Sequence, residues 1–283
     1  MSNALAKEGI DPKKSRAAWD ELQQLNSKYG ELAADAALAA GGALPPPFGT
    51  AADVVSLGKS VWTGDWGGAL MDVVGFVPIV GDAAKGGKIA KKLNSLRKAL
   101  DTANATMART LRQTKKAAKK YWDDLAKANR KAYEQAIKSC GSNKACREAK
   151  AVLKGDQYKR TPKSGKNGKW EGERGDGKWV PADGSTPVEY KNGFPDYGPH
   201  SKADVEIPMR GDHYHDFNNA DAAMRDKLGD PDWQRPDDMT WHHKEDGVTM
   251  QLVPKSVHGT GGGATTPHLG GASMHGGVHG KEF

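Results

Sequence analysis

Thr240-Trp241-His242-His243-Lys244-Glu245-Asp246-Gly247-Val248-Thr249-Met250-Gln251-Leu252-Val253-Pro254 is the stretch that decides the fold. Trp241 to His243 reads as a strand, Asp246-Gly247 stands where a hairpin turn favours such a pair, and Val248 to Val253 returns as a second strand. Pro254 suits the first position of a short helix that carries His258 at its end and that Gly259 stops. Neighbours on a strand point to opposite faces, so His242 and His243 can serve different partners. A register slip of one residue would exchange their roles.

All nine histidines lie in the last 84 residues, and His268 follows His258 closely in sequence. Two strands and a helix framing one ion is a ββα-metal arrangement. Such a site needs neutral imidazole or carboxylate ligands, with positions left open for a phosphate oxygen and water. It also needs a base that is not itself a ligand through the same nitrogen. Histidine suits that task because its ordinary pKa lies near neutrality. The pattern therefore points to metal-assisted hydrolysis of a phosphodiester.

Trp241-His242-His243, Met250 to Pro254, His258, and His268 with Gly270-Gly271 together resemble the HNH/endonuclease VII superfamily. The closest resemblance is to the toxin nuclease branch with a Trp-His-His motif. Tyr190-Lys191-Asn192-Gly193-Phe194-Pro195-Asp196-Tyr197, Asp216-Phe217 and Asn219-Ala220 also look like that branch, so the resemblance covers about residues 165–275. It implies a His-Me finger nuclease domain with His243 as general base and His242, His258 and His268 as metal ligands. The implied cofactor is a divalent ion, Mg²⁺ first, with Zn²⁺, Ni²⁺ and Mn²⁺ as alternatives. The superfamily's middle Asn has no clear counterpart, Gln251 being the nearest amide, and Gly262 stands where a histidine four residues after His258 would be.

Arg210 and Arg235 are the candidates for holding the scissile phosphate. His213 and His215 are expected at the surface or at a helix cap, His200 in a structural role, and His275 and His279 in a Gly-rich periphery. Trp241 is expected to anchor the core beneath the site. Cys140 and Cys146 are either a small disulfide loop at a helix end or two unrelated thiols.

Apolar residues make up 37% of the 283, with Gly 35 and Pro 15, which describes a loop-rich chain long enough for two domains. The net charge of +7 is unevenly spread: −4 over 1–84, +16 over 85–160 and −5 over 161–283. The basic middle is either a solvated helical face or a surface for nucleic acid or anionic membrane. Helices are expected over 11–40, over 50–60, and over 83–153 with a break near Ser139-Cys140-Gly141. A small hairpin is expected around Trp170 and Trp179, a strand at 203–209, and a helix from Asp216 to Leu228. The apolar run Ala69 to Asp82 is interrupted by Asp72 and Pro78 and is too short for a standard membrane span. Residues 45–90 resemble the pre-toxin segments of bacterial polymorphic toxins.

The expected fold class is thus α+β: an all-α region over 1–155, for translocation or chaperone docking, followed by a small ββα-metal nuclease domain over 156–283. The expected function is an antibacterial effector with a metal-dependent, largely sequence-nonspecific DNase. Its expected partners are DNA, a cognate immunity protein, and a chaperone or secretion-apparatus component such as that of type VI secretion. The start of the chain shows no cleaved leader, so export without one and action in the target-cell cytoplasm are expected. The alternatives are a membrane-active toxin using residues 69–84, and an RNase on the same scaffold.

Overall fold

The computed structural model describes residues 2–39, 83–259 and 266–270. The expected helix at 50–60, the apolar run at 69–82, most of the pre-toxin-like segment, His275 and His279 lie outside the described residues.

The helical part contains α1 (Ser2–Lys7), α2 (Pro12–Ala39), α3 (Ala83–Lys138), α4 (Lys144–Lys150) and α5 (Asp156–Lys159). Pro12 opens α2, where its missing N–H costs nothing. Met107, Leu111, Trp122 and Tyr133 lie buried along α3, consistent with the three- and four-residue spacing of its apolar side chains. The break comes where expected: Gly141 adopts φ 53 just beyond α3. Asn143 then caps α4, its side-chain oxygen accepting the Cys146 N–H at 3.0 Å. The two readings of the cysteines resolve as a disulfide between Cys140 and Cys146, with Cα atoms 5.5 Å apart.

Two antiparallel sheets follow. β1 (Gly168–Glu173), β2 (Asp176–Pro181), β3 (Val188–Lys191) and β4 (Phe194–Pro195) pair in sequence order. Trp170 faces Trp179 across the expected hairpin, and these two pack with Val188, Tyr190, Tyr197, Val253 and Val257 in one core. The second sheet contains β5 (Ala203–Glu206), β6 (Met239–His243) and β7 (Thr249–Pro254), in the order β5-β7-β6. Every residue of β6 is buried, so the polar side chains of Thr240, His242 and His243 are all held inside the fold. Helix α6 (His213–Leu228) precedes this hairpin and α7 (Lys255–His258) follows it.

The β6–β7 turn is built as its sequence suggests. Asp246 Oδ1 accepts the N–H groups of Val248 and Thr249 at 3.0 and 2.8 Å, and Gly247 takes φ 79. Two boundaries differ from expectation. The strand expected over 203–209 ends at Glu206, just before Ile207 and Pro208. Helix α6 starts at His213, not Asp216, because Asp212 caps it by accepting the His215 N–H at 3.1 Å. Asp216 thereby falls inside the first turn.

Contacts divide the chain into two compact units. One comprises Met1–Pro12, Gln113–Phe217 and Arg235–Phe283; the other comprises Lys13–Arg112 and Asn218–Gln234. The first contains both sheets and the histidine hairpin. There Trp122 of α3 packs with Phe194 and Leu269, and its indole N–H donates to the Glu245 carbonyl at 3.1 Å. Among the described residues, no helix is long and apolar enough to cross a membrane.

Candidate metal and catalytic site

β6 sends its two histidines to opposite sides, as strand geometry demands. On one side, His242 meets His258 from the end of α7 and His268 from the loop beyond it, with one ring nitrogen of each lying within 4.8 Å of the others. His242 Nδ1 is 3.3 Å from His258 Nε2. Two nitrogens held about 2.0–2.1 Å from one tetrahedral ion would be about 3.3–3.4 Å apart, so this edge matches shared coordination.

The tautomers follow from the outer partners. His258 Nδ1 lies 2.7 Å from the Gly259 carbonyl and His268 Nδ1 lies 2.8 Å from the Thr266 carbonyl. A carbonyl only accepts, so both Nδ1 atoms donate and both Nε2 atoms keep a lone pair. Burial holds all three imidazoles below the ordinary histidine pKa, most strongly at His242, where the neighbouring His268 and His258 add to the effect. His268 is lowered to about 4, again by burial first. Neutral imidazoles with converging lone pairs are what a divalent ion requires. The donor set therefore fits a metal.

The loop bearing His268 has no helix to hold it, and other bonds do that work. Thr266 Oγ1 donates to the Val257 carbonyl at 3.0 Å, leaving its lone pair for the Tyr197 hydroxyl at 2.5 Å. The Tyr190 hydroxyl donates to the Pro267 carbonyl at 3.1 Å. Tyr197 is fully buried, and its ring centroid stands 4.7 Å from His242, 5.3 Å from His258 and 5.9 Å from His268. Burial raises the Tyr197 pKa and keeps it a phenol. The sequence placed Tyr197 in a family-like segment but assigned it no task.

On the opposite side of β6, His243 Nε2 lies 3.0 Å from Asp216 Oδ2, with both side chains buried. Asp216 also accepts the backbone N–H groups of Arg210 at 2.8 Å and Gly211 at 2.9 Å. The carboxylate can only accept from Nε2, so the lone pair of His243 sits on Nδ1. Gln251, opposite His242 in the β6–β7 register, donates to Asp204 at 3.3 Å. This occupies its amide away from the turn, so the bonds that shape the turn come from Asp246.

The candidate phosphate ligands divide. Arg235 stacks its guanidinium 4.9 Å from the Phe217 ring, which stacks on His243 at 5.7 Å, so Arg235 lies on the His243 side of β6. Arg210 is joined to the same side through its backbone N–H, and its Nε is buried. His213 and His215 are exposed at the start of α6, as expected, and His200 is in a short 3-10 turn. Trp241 is 1% exposed and anchors the core.

Residues 234–277 match the family described as a nuclease of the HNH/ENDO VII superfamily with conserved WHH. The chain carries an endonuclease domain. Its reaction is the hydrolysis of phosphodiesters, and the match implies DNA as the substrate. The matched segment includes Trp241-His242-His243, His258 and His268, but not Tyr197, Asp216 or His213, which the fold brings to the same site from upstream. No curated relative matches the chain.

Proposed function

We propose that this endonuclease is metal-dependent, with His243 as general base and His242, His258 and His268 as the ligands. The observation that carries the reading is the split across β6: three neutral, converging imidazoles on one side, and a carboxylate-held histidine on the other. Asp216 fixes the His243 ring so that Nδ1 can take a proton from the attacking water. Arg235, stacked beside the base through Phe217, offers N–H donors to a phosphate oxygen. A bound divalent ion would supply Lewis-acid stabilisation of charge on the phosphate and the leaving oxygen. Three imidazoles suit Zn²⁺ or Ni²⁺ better than Mg²⁺ or Mn²⁺, which prefer oxygen ligands, so this reading puts Zn²⁺ and Ni²⁺ ahead of Mg²⁺.

The wider reading is an antibacterial toxin with the nuclease over 156–283 and a carrier or docking region over 1–155. It rests on the Trp-His-His branch resemblance and the pre-toxin-like residues 45–90. It brings with it a cognate immunity protein, delivery by a secretion apparatus and action in the target-cell cytoplasm. Cleavage is largely indifferent to sequence, since the chemistry needs phosphate contacts rather than base contacts.

The test is incubation of the purified chain with plasmid DNA, and separately with RNA, in Zn²⁺, Ni²⁺, Mn²⁺ or Mg²⁺. Metal-dependent nicking of plasmid that His243→Ala abolishes is the expected result. Intact plasmid under every metal, or a His243→Ala variant that cuts like the wild type, would sink the reading. Toxicity is tested by expressing wild type and His243→Ala in bacteria, where only the wild type should halt growth.

A further inference from the structure

His213 stands three residues before Asp216 and four before Phe217, so all three lie on one face of α6. That face meets the base. The His213 ring centroid is 5.3 Å from that of His243 and 5.6 Å from that of Phe217. Unlike His242 and His243, which are 4% exposed, His213 is open to solvent. It thus stands against His243 with its own ring open to solvent, where an incoming phosphodiester can reach it.

We propose that His213 is a substrate-contacting residue, its ring N–H donating a hydrogen bond to a non-bridging oxygen of the scissile phosphate. The inference rests on the nuclease reading above and adds a residue outside the matched family segment. A donor placed there holds the phosphate against the attacking water and gains strength as charge builds on the phosphate oxygens. Phe217 and Arg235 border the base on the same face, so His213 and Arg235 would approach one phosphate as two donors.

Four proteins distinguish this role from mere packing: wild type, His213→Ala, His213→Gln and His213→Phe. Each is assayed for plasmid cleavage with the activating metal, for bound metal, for melting temperature, and for binding of a short fluorescent DNA duplex in EDTA. The expected loss of kcat/KM for His213→Ala is roughly 10- to 100-fold, with metal content unchanged and duplex binding weakened. His213→Gln, which keeps a donor, should recover much of the loss. His213→Phe, which keeps an aromatic ring beside Phe217 but no donor, should not. An alanine variant that cuts and binds like the wild type overturns the proposal, as does a phenylalanine variant that works fully. A wild type that cuts nothing, yet binds duplex in a His213-dependent way, defeats the nuclease reading and leaves the phosphate contact standing. A wild type that neither cuts nor binds defeats both.

Discussion

The imidazole of His243 and the carboxylate of Asp216 meet at 3.0 Å although 27 positions separate them in the chain, and both side chains are buried. Asp216 also ties down the N–H groups of Arg210 and Gly211, so one carboxylate orients the His243 ring and closes the loop leading into α6. Asp216→Asn should therefore lower kcat by about 10²- to 10⁴-fold, the scale seen when a histidine base loses its orienting carboxylate. Metal content should not change. Equal kcat for Asp216→Asn and wild type, from initial rates of plasmid nicking, would refute an orienting role.

Removing a ligand should act on metal rather than on the base. His242→Ala, His258→Ala and His268→Ala should each purify with sharply reduced bound ion, while His243→Ala and Asp216→Asn retain it. An ion at a hundredfold its Kd stabilises the fold by about 2.7 kcal/mol, so a chelator should lower the melting temperature of wild type. Elemental analysis and calorimetry measure both effects. Full metal content in His268→Ala would remove His268 from the ligand set.

Acid should weaken the fold through the same cluster. Burial holds His268 at about 4, below the ordinary 6.5, so between those values the unfolded chain binds a proton that the folded chain refuses. Stability from this group is complete above 6.5 and declines as pH falls toward 4. Asp226 slopes the other way: burial raises it from 3.8 to about 6, so its contribution declines as pH rises through that window. Asp226→Asn should stabilise the protein at neutral pH by on the order of 1–3 kcal/mol. Denaturant titrations at pH 4 and pH 7 compare the two slopes, and an Asp226→Asn variant no more stable than wild type at pH 7 would contradict the second.

Trp122 packs beside the loop that carries His268. Its ring contacts Phe194 at 4.8 Å between centroids and packs with Leu269, next to His268. Trp122→Ala should cost about 3–5 kcal/mol and also weaken metal binding, since Leu269 anchors the loop that presents His268. Unfolding curves and metal titrations report these separately. A variant that loses stability but binds metal normally would show that the loop is held by Thr266 and Tyr190 alone.

Much of the hairpin was legible in the sequence because its determinants are local. Asp246-Gly247 specifies the turn, Pro254 and Gly259 bracket α7, and strand alternation alone sends His242 and His243 apart. The start of α6 was misjudged by three residues because Asp212 and Asp216 are both plausible caps, and only the bond to His215 shows which one serves. Tyr197 and Asp216 carried no local sign of their tasks.

By itself the sequence determined the strand–turn–strand–helix unit, the opposed histidines and the nuclease-domain match over 234–277, because each depends on neighbours a few positions apart. The tertiary structure decided which distant groups meet at the site: Asp216 behind His243, Tyr197 against His242 and His258, Thr266 beneath the loop, and His213 beside His243. Those pairings arise when separate segments are buried together and their polar groups must find partners away from water, a condition that no spacing in the chain records.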